Sequence, residues 1–254
     1  MKLELVQRDD PSLNDPIIVC GLPGAALVGK FAVDHLVSEL PAKPLAEIYS
    51  NEFPTQIIVK DNGIATSMHN EILYWKNNNH GSDLVLFTSD AQPTSSEMGY
   101  SLSERALDFL VSKCKVKELV TLGAYVTGTR TDKPRVYATA TDAAHAKIIE
   151  QIGCTLMRYG EIKGMNGLLL GMAKIKGVLG YSLLGETEGY SFDGRASSIV
   201  LECLGKMVGV KFDLEKLNQR AKEAQKLLDA VLEVENKRNQ GPREDQAPKP
   251  NYIT

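Results

Sequence analysis

The chain has 254 residues, 43% of them apolar and 24% charged, with a formal net charge of −3. That is globular composition, and the small negative charge excludes the basic surface of a nucleic-acid binder. Apolar runs stay well below the ~18 residues of a membrane span, and the start "MKLELVQRDD" lacks the apolar stretch of a secretory signal.

Residues 15–21 (DPIIVCG) are a β-branched run ending in glycine, the pattern of a buried strand. Residues 25–40 (AALVGKFAVDHLVSEL) set Leu27, Phe31, Leu36 and Leu40 on a helical period, with Pro41 as the stop. Strand or hairpin pieces follow at 45–50, 55–61, 63–69 and 70–75, and a second buried strand at 82–90. A helix covers 95–115, opened by Ser95 or Ser96. Strands at 117–125 and 135–142 lead to a helix over 141–153 that stops at Gly153. A short helical stretch at 166–177, a strand at 178–187 and a helix at 193–209 follow. This alternation predicts a single three-layer α/β domain over 1–212 with a mainly parallel central sheet. The four cysteines, at 20, 114, 154 and 203, are far apart and form no C-x-x-C. We expect a reduced, cytoplasmic protein without disulfide or zinc.

"VCGLPGAALVGKF" carries Gly24, Gly29 and Lys30 in the spacing of a phosphate-binding loop, with Phe31 where that loop needs Ser or Thr. The strand–loop–helix setting suits phosphate, but the residues do not. Ala-Ala-Leu-Val has no tendency toward the unusual backbone conformations that wrap a phosphate, and Phe31 supplies no magnesium ligand. The structural alternative has Pro23 and Gly24 opening the helix, with Gly29 inside it at a close backbone approach.

Read whole, "GLPGAALVGKFAVDHL" resembles the opening of the archaeal relatives of the eukaryotic proteasome assembly chaperones. The similarity continues through "SNEFPTQIIVKDNGIA", "GYSLSERALDFLVSKCKVKELVTLGAY" and "GMNGLLLGMAKIKGVLGYSLLGET", so it spans about residues 17–217. It implies a fold like that of nucleoside phosphorylases without established catalysis. It also implies homo-oligomers that bind the proteasome core particle or its α-subunits through their C-termini. Some members carry an ATP-grasp label, to which the P-loop-like letters lend nothing, because ATP-grasp folds use no such loop.

Catalytic chemistry is thinly represented. His35, His69, His80 and His145 show no metal-binding spacing; His35 and His145 fall on helices, where solvated or capping roles are expected. None of the three Gly-Tyr-Ser sequences, at Gly99, Gly180 and Gly189, extends to a nucleophile elbow. Asp90, ending a buried strand, can form an acidic pair with Glu97, though a turn role is the commoner one. Arg130 and Arg135 can bind an anion, though a solvated loop of mixed charge is the simpler reading. No catalytic residue, metal or cofactor is assigned. An enzyme acting on a nucleotide or other phosphorylated molecule in a phosphorylase-like cleft is the alternative.

From 213 to 238 the apolar positions Leu214, Leu217, Ala221, Ala224, Leu228 and Val231 step by three and four, among six acids and six bases. That is a coiled-coil seam, fit either to meet copies of itself or to pack back on the domain. Residues 239–254, with three prolines, read as a flexible tail carrying Tyr252, Ile253 and Thr254. Proteasome partners commonly end in hydrophobic–Tyr–any. Here the order is Tyr–hydrophobic–any, so docking without strong gate opening is expected. The sequence thus predicts a homo-oligomeric proteasome assembly chaperone or adaptor, with no nucleic-acid or membrane partner.

Overall fold

Strand and helix alternate through residues 3–59, 62–79, 81–190, 192–219 and 222–223, which a computed structural model describes. The first half contains β1 (Leu3–Gln7), β2 (Ile17–Gly21), α1 (Val28–Glu39), β3 (Lys43–Ser50), β4 (Ile57–Val59), β5 (Ala65–Ser67), β6 (Asn70–Trp75), β7 (Leu84–Ser89) and α2 (Ser96–Cys114). The second half contains β8 (Glu118–Val126), β9 (Val136–Ala140), α3 (Ala143–Gln151), β10 (Thr155–Leu156), α4 (Gly164–Ile175), β11 (Leu179–Thr187) and α5 (Gly194–Val208).

Nine strands make one mixed sheet in the order β1-β3-β6-β7-β2-β8-β11-β9-β10. Its centre is parallel: β7 and β8 flank β2, and β11 lies beside β8. Its margins turn antiparallel, through β6, β3 and β1 on one side and β9 on the other. The central strands are mostly apolar because both their faces are covered, and β2 (IIVCG) is apolar along its whole length. In β2, Ile17 and Val19 enter one core while Ile18 and Cys20 enter the other. The first core packs against α1, α3 and α5, the second against α2 and α4. This is the expected three-layer α/β domain. Each fully buried aliphatic or aromatic side chain, such as Ile18, Leu86 or Phe87, contributes about 1.5–3 kcal/mol.

Several details depart from the sequence reading. β1 had no assigned element; it pairs along β3 from Leu3 to Gln7. α4 begins at Gly164, whose positive φ of 73° glycine allows without strain. β4 and β5 form a separate two-stranded ribbon that leaves Ile57, Val59 and Ile64 exposed. The expectation of no disulfide is overturned: Cys154 and Cys203 are joined, clamping the turn after α3 to the inner side of α5. Both cysteines belong to one buried cluster, and a separation of 49 residues carries no local signature of the pairing. Cys20 and Cys114 are free and buried, and burial pushes both thiols up, Cys114 to about 11.

Candidate functional site

The carboxyl ends of β2, β7, β8 and β11 converge on one edge of the sheet, where α/β proteins gather function. The glycine loop sits there, and packing dictates its letters. A Cβ on Gly29 would run into the carbonyl oxygen of Leu122 on β8, and one on Gly21 into the carbonyl of Gly29. Three backbones therefore touch where side chains would hold them apart. Lys30 turns from the loop to Asp34 at 2.7 Å and to the Thr88 hydroxyl at 3.2 Å, and Thr88 donates to Asp34 at 3.1 Å. Phe31 packs edge-on against Phe192, with ring centroids 4.2 Å apart. The lysine and the phenylalanine are thus both engaged within the fold.

The loop differs from expectation in its backbone. Helix α1 begins at Val28, after a short 3-10 turn, and Ala26 and Leu27 are left-handed at φ 49° and 53°. Such conformations cost non-glycine residues roughly 1–2 kcal/mol each. Neighbours hold them in place: the Ala26 carbonyl accepts from Asp193 N at 3.2 Å, and the Val28 carbonyl accepts from the Ser197 hydroxyl at 2.9 Å. Bringing Gly29 onto Leu122 forces this turn, and Ala-Ala-Leu gives no hint of it.

Beside the loop lies a cleft of about 500 Å³ lined by Leu22, Ala25, Tyr125, Met157 and Asn166 among others. Its amide side chains are occupied. Gln92 donates to the Pro23 carbonyl and accepts from Met165 N at 3.1 Å, tying the loop after β7 to the glycine loop and to the start of α4. Asn166 donates to the Leu122 carbonyl at 2.7 Å. The sequence reading did not single out either residue, because a lone amide carries no spacing signal.

Asp90 is paired with His69 rather than with Glu97. It accepts from His69 N at 3.2 Å and lies 3.3 Å from Nδ1 of that buried ring, whereas Glu97 is exposed in the first turn of α2. Arg135 meets Glu186 at 3.3 Å, donates to the Tyr137 hydroxyl at 2.5 Å and stacks on that ring. The hydrogen bond from Arg135 holds the Glu186 carboxyl below its usual range. Arg130 lines a small recess with Asp193 and Arg195. Asp142 caps α3 and the His145 ring, in the first turn, lies 2.7 Å from that carboxylate, but His35 is buried, not solvated, and its Nε2 donates to the Asp213 carbonyl at 2.7 Å. His80 lies outside the described residues. Among the described residues no group of three His, Cys, Asp or Glu side chains could hold a metal ion, and no helix is long and apolar enough to cross a membrane.

Of the seam, Leu214 packs against the α1/α5 core and Leu217 is fully buried in it. Asn218 is bonded to Ser198 at 2.8 Å and Lys216 to Glu39 at 3.2 Å. The first turn of the C-terminal segment therefore lies on its own domain. Ala221, Ala224, Leu228, Val231 and the tail residues Tyr252, Ile253 and Thr254 lie outside the described residues.

These features define a three-layer α/β protein whose strand-end loops are spent on packing, with its P-loop-like glycines seating backbone on backbone. The chain belongs to the PAC2 family, whose model matches residues 18–232. It is similar to the crystal structure of Pyrococcus furiosus PbaB, an archaeal proteasome activator, at 35% identity and a TM-score of 0.83, over 90% of this chain and 98% of that one. Pyrococcus furiosus PbaA, an archaeal homolog of proteasome-assembly chaperone, matches at 26% identity and a TM-score of 0.77, over 94% of each chain. An uncharacterized protein of Methanocaldococcus jannaschii is 28% identical over 229 residues, 90% of this chain and 87% of that one.

Proposed function

We propose that this chain is a non-enzymatic, homo-oligomeric assembly chaperone or adaptor of the proteasome, acting in the cytoplasm. It binds proteasome subunits or the core particle partly through Tyr252, Ile253 and Thr254. The observation that carries this reading is the 35% identity to an archaeal proteasome activator across nearly the whole of both chains. The two amides of the carboxyl-edge cleft support it, because Gln92 and Asn166 brace loops of the fold instead of facing a ligand. Several copies in one oligomer would let weak tail anchors act together.

The test is capture of proteasome core particle and of isolated α-subunits by the immobilised protein, full-length and lacking residues 252–254. Full-length protein should retain them and the deletion should weaken retention, with fold and mass unchanged. No retention by either form would sink the proteasome reading, and equal retention by both would remove the tail from it. Millimolar ATP with magnesium should leave the melting temperature unchanged. A ligand at 100 times its Kd would stabilise by ~2.7 kcal/mol, so a magnesium-dependent rise would favour the nucleotide enzyme instead.

A further inference from the structure

α3 and β10 form the outermost unit at one edge of the sheet, and little holds it there. β10 is two residues long and pairs on one side only, with β9. Of the nine residues of α3, Ile149 alone is buried, and Ile152 and Leu156 after it are half-buried against the same core. The polar ties to the body are thin. The His145 ring stands edge-on to Tyr181 with centroids 5.9 Å apart, and Lys206 donates to the Ile152 carbonyl at 3.4 Å. The Cys154–Cys203 bridge is the covalent tie, running from the turn between α3 and β10 to the middle of α5.

This unit also carries one wall of the carboxyl-edge cleft. Met157, Tyr159, Ile162 and Lys163, which follow β10, line it. The far end of the wall is fixed, because Gln92 accepts from Met165 N at 3.1 Å at the start of α4. At the near end Met157 N donates to the Ala138 carbonyl of β9 at 2.8 Å. Between these points residues 158–161 are exposed and make no hydrogen bond among the described residues. The near end of the wall is therefore only as firm as β10, and β10 leans on the bridge two residues before its end.

A disulfide persists in an oxidising compartment and is cut where dithiols are kept reduced. Cys154 and Cys203 are 7% and 5% exposed, so a reductant needs a local opening. Openings begin where buried contacts are few. Cys154 sits at such a place, on the turn after the weakly held α3 and beside the exposed Gly153, whereas Cys203 lies within α5. We propose that the bridge is a redox-operated clamp on the cleft wall, released by a dithiol reductant. One thiolate of the reductant attacks Cys154 Sγ, the bond to Cys203 Sγ breaks, and Cys203 leaves as a thiolate that takes a proton. The second thiolate then attacks the reductant's own sulfur in the mixed disulfide, freeing Cys154 as a thiol. Two electrons and two protons pass to the protein, and the reductant departs as a disulfide. In the reduced chain α3 and β10 open more often and the wall loses its near anchor, while the rest of the sheet stays paired.

The test compares the full-length chain oxidised, reduced with dithiothreitol, and as the Cys154→Ala/Cys203→Ala double variant. The readouts are hydrogen–deuterium exchange and limited trypsin digestion, Arg158 being an exposed cleavage site within the wall. Reduced wild type and the double variant should both exchange at least ~10-fold faster over residues 143–163 and be cut faster after Arg158, with β2, β7 and β8 unchanged. Removing the reductant should restore slow exchange in wild type alone. If the double variant does not fold, reduced wild type decides. Alkylation that finds all four cysteines as thiols in denatured, never-reduced protein would overturn the proposal. So would a bridge that dithiothreitol cuts only after denaturation. Exchange that rises equally in β2 and β8 would make the bridge a general stabiliser and not a clamp on this wall. Exchange unchanged by reduction would show that α3 and β10 stand without it.

Discussion

On the α1/α5 side of the sheet, Phe212, Leu214 and Leu217 cover the helices, His35 and Ser198 fasten that segment, and the Cys154–Cys203 bridge clamps α5 from within. On the α2/α4 side, Tyr100 and Ile175 stand in solvent beside a glycine that touches nothing. The same sheet supports both sides, and the same period of apolar residues built both helix pairs. The contrast teaches that the chain uses its own C-terminal segment to complete one side and leaves an open apolar groove on the other.

The contrast breaks first at the sheet edge both sides share. Gly29→Leu drives a side chain into the Leu122 carbonyl, where backbone cannot give way, so we expect no folded protein by circular dichroism. A cooperative melt within a few degrees of wild type would refute the close-approach account. Leu217→Ala removes a fully buried side chain from the completed side and should cost about 2–5 kcal/mol, some 5–15 °C in melting temperature. If the loss is under about 0.5 kcal/mol, the C-terminal segment does not cover that side in solution.

A smaller effect belongs to the bridge. Cys203→Ser, or a thiol reductant on the wild type, should lower stability by about 2–4 kcal/mol in urea unfolding, and the reductant should leave the variant unaffected. An equal response of variant and wild type would place the reductant's action elsewhere. The smallest effect is at the strand ends. Arg135 lowers the Glu186 pKa, so this pair adds stability that is fully present above the ordinary glutamate value of ~4.3 and fades as pH falls through the lowered one. Glu186→Gln should reduce melting temperature slightly at pH 7 and flatten its decline below about pH 4. An acid limb as steep as that of wild type would remove Glu186 from it.

Much of this was legible in the sequence, for identifiable reasons. The buried strands β2, β7, β8 and β11 announce themselves because parallel centre strands are apolar on both faces. Gly29 was readable because a glycine inside an amphipathic helix makes sense where another backbone comes close. Other features gave no local signal. Ala26 and Leu27 are left-handed because distant contacts hold them there, and their own propensities point the other way. The seam spacing specified an apolar stripe but not its cover, and Leu214 and Leu217 found it in their own domain. Gln92 and Asn166 act by bonding to carbonyls far away in sequence, which no spacing reveals.

The place of β2 in the sheet also has a consequence in time. It is the second strand to leave the ribosome and the one that must lie in the middle, with Ile17 registered against both Leu84 and Glu118. At ~5–20 residues per second of synthesis, an apolar strand waits roughly 3–14 s with both edges unpaired before β7 exists, and roughly 5–20 s before β8 can cover the second edge. Pairings so distant along the chain also make folding slow once synthesis ends. A newborn copy is therefore most vulnerable to misassociation along the very strand that later makes the centre of the sheet.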